Sequence, residues 1–153
     1  MSDNFSSKST YDTKHPTAIA VYCSDGRITE AVAELLQHLG HPRLDTLTIP
    51  GGPGLLNHRT SGFSDCDTFS KSAEFLVREH KIVTAVLLAH QGCGYYGRRF
   101  PDIDQAQVEE RQKADLRLAL NELTATHPRL DARGYFSRVE GGKVHFDEVA
   151  KSK

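Results

Sequence analysis

Ile82 to Ala89 is nearly continuous apolar sequence, the signature of a strand buried on both faces. Such a strand belongs inside a parallel sheet with helices packed above and below it. A second β-branched run, Thr17 to Tyr22, reads as another strand, and Leu44 to Ile49 alternates as a third. Between them, Ile28, Val32, Leu35, Leu36 and Leu39 follow helical spacing until Gly40 stops the helix, with Pro42 just beyond. Phe69, Ala73, Leu76 and Val77 form the inner face of a further helix, for which Asp65 or Asp67 is the expected cap. A long helix after Pro101 turns Leu116, Ala119, Leu120 and Leu123 inward and ends before Pro128. Gly134 to Val149 reads as two short strands joined at Gly141-Gly142. Strands that alternate with helices predict an α/β domain around a mostly parallel central sheet.

A chain of 153 residues is one domain with one sizeable core. Residues 1–15 read as a flexible polar arm, because Ser, Asp, Lys and Thr dominate and no periodicity is present. Residues 16–153 form the predicted α/β domain. The formal charge of -1 gives no electrostatic case for nucleic acid or an anionic membrane as partner. No apolar run approaches the roughly 20 residues of a membrane span, and the polar first segment lacks the apolar core of a secretory signal. Three cysteines are too few and too odd for a disulfide framework. A reducing cytoplasm is the expected location, where thiols serve metals or catalysis.

Two motifs follow directly on buried strands: Cys23-Ser24-Asp25-Gly26-Arg27 and His90-Gln91-Gly92-Cys93. In open α/β sheets, ligands bind in the crevice beyond the carboxyl ends of the strands. If the two strands are neighbours, two thiols, an imidazole and a carboxylate can converge there. Two Cys, one His and a fourth oxygen ligand suit zinc in tetrahedral geometry, and paired thiolates argue against magnesium or calcium. A competing explanation makes Cys23 and Cys93 small buried residues that merely end strands. The co-occurrence of His90 and Asp25 at short spacing favours a site. Arg27 is poorly placed as a plain surface residue, since a cation opposes the dipole at a helix N-terminus. A carboxylate partner in Asp25 is the simpler explanation.

Cys-x-Asp-x-Arg after the first strand and His-x-x-Cys after the third resemble the signature of the β-class carbonic anhydrases. Gly51-Gly52 stands where that family has its glycine-containing loop. Gly134-Tyr135-Phe136 through Gly141-Gly142-Lys143-Val144 is similar to its closing strand pair. The likeness covers roughly residues 17–147. It implies a sheet of order 2-1-3-4 with a short antiparallel strand at the edge. It also implies Zn2+ on Cys23, His90 and Cys93, and Asp25 and Arg27 as the family's catalytic Asp–Arg pair. The implied activity is reversible hydration of carbon dioxide to bicarbonate by zinc-bound hydroxide, in a homodimer or larger homo-oligomer. Zinc lowers the pKa of bound water toward about 7, and an aspartate positioned by arginine can orient the hydroxide. Asp25 could instead be the fourth zinc ligand, unless Arg27 withdraws it through a bidentate salt bridge. The chain departs from the family at Ile49-Pro50, where an arginine is usual and proline supplies neither charge nor donors.

Other functions remain open on the sequence. A non-catalytic zinc protein would keep Asp25 on the metal. A hydrolase of carbon disulfide or carbonyl sulfide would use the same hydroxide. Cys93-x5-Arg99 has the spacing of a phosphatase or sulfurtransferase loop with Cys93 as nucleophile. Pro50-Gly51-Gly52-Pro53-Gly54 lacks the Lys-Ser/Thr of a nucleotide loop and reads as a tight loop beside the metal pocket. His58, Asp65, Cys66 and Asp67 could bind a second metal, although a helix-capping cluster explains them better. Tyr95 and Tyr96 are expected at the pocket or a subunit interface, and Arg98 and Arg99 at the site mouth.

Overall fold

The computed structural model describes residues 4–57, 59 and 62–151. Its frame is a five-stranded sheet of order β2-β1-β3-β4-β5. The strands are β1 (Ala18–Tyr22), β2 (Asp45–Thr48), β3 (Thr84–His90), β4 (Asp131–Glu140) and β5 (Lys143–Val149). β1 pairs in parallel with β2 and β3, β3 in parallel with β4, and β5 runs antiparallel to β4. The predicted order and the antiparallel edge are both present. β4 is longer than expected, because Asp131, Ala132 and Arg133 extend beside Thr84, Ala85 and Val86 before Gly134 is reached. At the turn into β5, Gly141 (φ 57°) and Gly142 (φ 74°) both adopt left-handed geometry, as a two-residue hairpin turn requires.

Both faces of the sheet are covered. Ala18, Ala20, Tyr22, Val86 and Leu88 pack against Ile28, Val32 and Leu36 of the segment that forms α1 (Thr29–His38). On the other face, Ile19, Val21, Ala85 and Leu87 meet Phe69 and Ala73 of α2 (Phe63–Glu79). The same face carries Leu116, Ala119, Leu120 and Leu123 of α4 (Gln105–Thr126). Every residue of β3 is buried, which is the physical meaning of its unbroken apolar run. α4 starts in a capping box: the Asp104 carboxylate accepts from the Gln107 N–H at 2.8 Å, and the Gln107 side chain accepts from the Asp104 N–H at 3.0 Å.

Two local expectations need correction. α2 begins at Phe63 behind Gly62, with no side-chain cap. Asp65 therefore lies inside its first turn, where a carboxylate complements the dipole, and Asp67 pairs with Lys71 one turn on at 2.7 Å. The glycine–proline segment expected as loop coils into a 3₁₀ helix, Gly52–Leu56, whose residues are all buried. A short helix α3 (Gly94–Arg99) follows Cys93 directly. The polar arm carries no regular element from residue 4 to 17, and its end is fastened. Arg43 donates to Asp12 at 2.8 Å and to the Lys14 carbonyl at 2.6 Å, and His15 stacks on His80.

Leu120 is fully buried between α4 and the sheet, and its Cδ1 lies only 2.6 Å from where a Cβ on Gly134 would stand. Leu120→Ala should lower unfolding free energy by about 2–5 kcal/mol, read by urea denaturation.

Candidate metal centre

β1 and β3 are adjacent, and Val21 stands opposite Leu87, so the two strands end side by side. The residues that follow them are therefore forced together at one edge of the core. Cys23 (7% exposed) leaves β1, His90 (2%) closes β3, and Cys93 (3%) caps α3. The Cys23 and Cys93 sulfurs are 4.0 Å apart. The ligand atoms of Cys23, His90 and Cys93 all lie within 4.8 Å of one another, so the three residues are positioned to hold a metal ion.

The imidazole is prepared for that role. His90 Nδ1 lies 3.0 Å from the Gln91 carbonyl, which can only accept, so Nδ1 carries the proton of the neutral ring. Nε2 then presents a lone pair, and it is buried without a protein partner. An orphaned ring nitrogen between two thiols costs free energy unless something fills the space, and a soft or borderline cation satisfies all three donors. The Gln112 side chain (1% exposed) fixes the chain behind the ring by donating to the His90 carbonyl at 2.9 Å.

The two thiols share one charge. The hydrogen bond from Cys93 holds the Cys23 thiol down against the opposing effect of burial. His90 and the N–H groups of Gly51 and Asp25 add to the lowering. The same contact with Cys23, together with burial, pushes Cys93 up. The pair thus loses its first proton readily, and a cation must compensate for the loss of the second.

Glycine makes the close approach possible. At Gly52 (φ +61°) a Cβ would stand 2.8 Å from the Cys23 nitrogen and 2.9 Å from the Tyr22 carbonyl carbon. The 3₁₀ segment can lie against the cysteine backbone only because it has no side chain there. Gly51 (φ +89°) similarly admits the Tyr95 ring.

Beside the cluster, Arg27 closes on Asp25. Its Nε lies 3.0 Å from both carboxylate oxygens, its Nη2 is 2.5 Å from Oδ2, and its backbone N–H donates to Oδ1 at 3.0 Å. Nη2 also reaches the Gly92 carbonyl at 3.4 Å, tying the loop after β1 to the loop after β3. Hydrogen bonds from Arg27 hold the Asp25 carboxyl down at about 2.

The remaining sequence candidates separate from this centre. Cys93 and Arg99 stand at opposite ends of α3, about 9 Å along its axis at 1.5 Å per residue. A helix in place of a cradle rules out one phosphate between them. Cys66 approaches only Ser70, at 3.8 Å. Asp65, Cys66 and Asp67 belong to no metal-ligating cluster among the described residues, and His58 lies outside them. Tyr95 packs partly buried beside Leu55 at Gly51. Tyr96 (2% exposed) packs with both cysteines and donates its hydroxyl to Asp115 at 2.8 Å. Gln112 and Asp115 were not anticipated. Their signal was available, since both are polar residues on the inward stripe of α4 that runs from Val108 through Leu116 to Leu123.

The sequence matches no family model and no curated protein. The fold does find relatives among solved structures. The β-carbonic anhydrase CafA of Aspergillus fumigatus superposes with a TM-score of 0.58 at 15% identity, over 91% of this chain and 78% of that one. A tetrameric β-carbonic anhydrase of Sordaria macrospora gives 0.56 at 14% identity, over 87% and 81%. A β-carbonic anhydrase of Trichomonas vaginalis gives 0.55 at 12% identity, over 90% and 86%. The fold is that of the β-carbonic anhydrases. Among the described residues no helix is long and apolar enough to cross a membrane.

The folded pKa of Asp25 lies below the ordinary 3.8. Its pairing with Arg27 therefore stabilises the native state above that value and is lost as pH falls through about 2. NMR of the carboxyl carbon in the metal-free protein should show a midpoint near 2. Arg27→Ala should return it toward 3.8.

Proposed function

We propose that this protein is a zinc-dependent carbonic anhydrase that interconverts carbon dioxide and bicarbonate. The observation that carries the reading is one convergence: two thiols and an unpartnered imidazole nitrogen beside an arginine-clamped carboxylate, on a β-carbonic anhydrase fold. Cys23, His90 and Cys93 are the residues that would hold the zinc. The chemistry the metal would supply is the acidification of water, to a pKa near about 7.

The chain's own residues do the rest. Asp25 accepts the proton of the attacking oxygen in a hydrogen bond and so turns a lone pair toward the carbon. With a pKa of about 2 it stays ionised throughout the neutral range. It is too weak a base to keep that proton, so the proton released in hydration passes to solvent or buffer. Arg27 has two tasks, keeping Asp25 charged and keeping it occupied. A carboxylate that already accepts from Nε, Nη2 and a backbone N–H has less to gain by becoming a fourth metal ligand. This favours an open coordination position over the closed, non-catalytic arrangement. The flanking wall of Tyr96, Val108, Tyr95 and Phe100 is largely apolar, which suits a small neutral substrate. No counterpart of the family arginine exists at Pro50, so the substrate is held without that contact.

The reading includes a homodimer, with residues 1–15 dispensable for it, in a reducing cytoplasm that keeps Cys23 and Cys93 as thiols. The tetrameric assembly of the Sordaria macrospora relatives supports self-association in this fold.

Metal analysis and a carbon dioxide hydration assay test the proposal together. The wild type should carry one zinc per chain and gain activity as pH rises. Cys93→Ser should lose most of its zinc and some stability. Arg27→Ala should keep its zinc yet lose activity by orders of magnitude, as Asp25 is freed to fill the open position. Undiminished zinc in Cys93→Ser, or wild-type hydration in Arg27→Ala, would overturn it.

A further inference from the structure

A second polar pocket lies on the far side of Tyr96 from the cysteines. Arg59, Arg99, Phe100, Arg111 and Asp115 line a cavity of about 110 Å³. The ion pairs of this protein engage Arg27, Arg43, Arg78, Arg133 and Arg138. Among the described residues none engages Arg59, Arg99 or Arg111. Asp115 is the one carboxylate among the described lining residues, and its Oδ2 is already taken by the Tyr96 hydroxyl. Burial pushes its carboxyl up, against the opposing pull of Arg111 and Arg99, so it is a poor counter-ion for three guanidiniums. With Asp115 ionised, the described lining residues carry three positive charges against one negative, an excess of two.

Like charges gathered around one small cavity repel one another unless an anion joins them. The fold nevertheless holds two of them in place. The Cζ atoms of Arg111 and Arg99 lie 4.5 and 5.5 Å from the centre of the Phe100 ring. At that distance a cation–π contact holds each guanidinium beside the ring without taking up a hydrogen-bond acceptor. The three arginines are exposed and Asp115 is buried, so charge rings an open mouth above a narrow floor. The cavity is far below the roughly 300–1,000 Å³ of a drug-sized site. It has room for an ion of a few heavy atoms, at about 30 Å³ per water displaced.

We propose that Arg59, Arg99 and Arg111 form a binding site for a dianionic oxyanion, inorganic phosphate or the phosphoryl group of a larger molecule. Two excess charges match a dianion, and guanidinium forks match its paired oxygens. The site is separate from the metal centre and does not depend on the carbonic anhydrase reading.

Titration calorimetry of the purified protein with inorganic phosphate, at constant ionic strength in chloride, tests it. One saturable site per chain is expected. Arg99→Gln and Arg111→Gln should each weaken it at least tenfold, and Arg98→Gln, outside the lining, should change it less than twofold. Arg59→Gln, at an exposed position, replaces either variant that fails to fold by circular dichroism. Glycerol phosphate binding as well as phosphate would identify a phosphoryl group projecting from the open mouth, and much weaker binding would identify the free ion. No saturable binding of phosphate overturns the proposal. So does binding that survives both Arg99→Gln and Arg111→Gln, because phosphate would then sit on the metal centre.

Discussion

Parallel pairing of β1 with β3 is the contact on which the rest depends. It aligns the carboxyl ends of two strands that are separated by about sixty residues of chain and so places Cys23 beside Cys93. Two sulfurs 4.0 Å apart in a buried site form an unbalanced pair, in which one readily gives up its proton and the other resists. That imbalance, with the unpartnered lone pair of His90 Nε2 close by, gives the core a cluster of donors positioned to hold a cation. The same alignment sets the Arg27 guanidinium within reach of the Gly92 carbonyl, so the loops that carry the ligands brace each other.

Support for these ligands comes from three directions at once. The 3₁₀ segment presses on the Cys23 backbone through Gly52. α4 reaches the His90 carbonyl through Gln112. α3 begins at Cys93 itself and returns Tyr96 into the wall. A site held on rigid elements in this way can keep donors in place before any ligand arrives. Polar groups on the inward face of α4 are the cost of that arrangement: Gln112 keeps one buried oxygen without a partner, and Asp115 depends on Tyr96. Tyr96 is common to both polar regions, touching the cysteines with its ring and Asp115 with its hydroxyl. It thus stands between the cysteines and Asp115 of the arginine-lined pocket.

Low identity with a shared fold is intelligible in these terms. The layers need only apolar residues at the right period, which many sequences supply. The chemistry needs a few residues at strand ends, and those are free to persist or change without disturbing the sheet. Pro50 shows how little the backbone course depends on any one side chain at such a strand end. The Ile49 carbonyl before it accepts from the Ser24 and Gly52 N–H groups, so backbone hydrogen bonds alone fix the turn there.

The sequence by itself determined the sheet, the helices and the motif positions. The apolar run before His90 permits only a doubly covered strand, and the four-residue spacing in α1, α2 and α4 permits only amphipathic helices. It also placed Cys23, Asp25, Arg27, His90 and Cys93 at strand ends, because each motif follows its strand without a gap. Helix starts were less legible: α2 begins at Phe63 because backbone geometry at Gly62, and no side-chain cap, sets its first turn. The 3₁₀ helix was hidden because its glycines and prolines are also loop residues, and only burial against Cys23 distinguishes the two. Tertiary structure alone decided which distant side chains meet. That Asp115 takes the Tyr96 hydroxyl, that Gln112 fixes His90, and that Arg59, Arg99 and Arg111 surround one cavity depend on how α3 and α4 are laid across the sheet. Side-chain period records which face a residue occupies. It carries no information about what stands opposite.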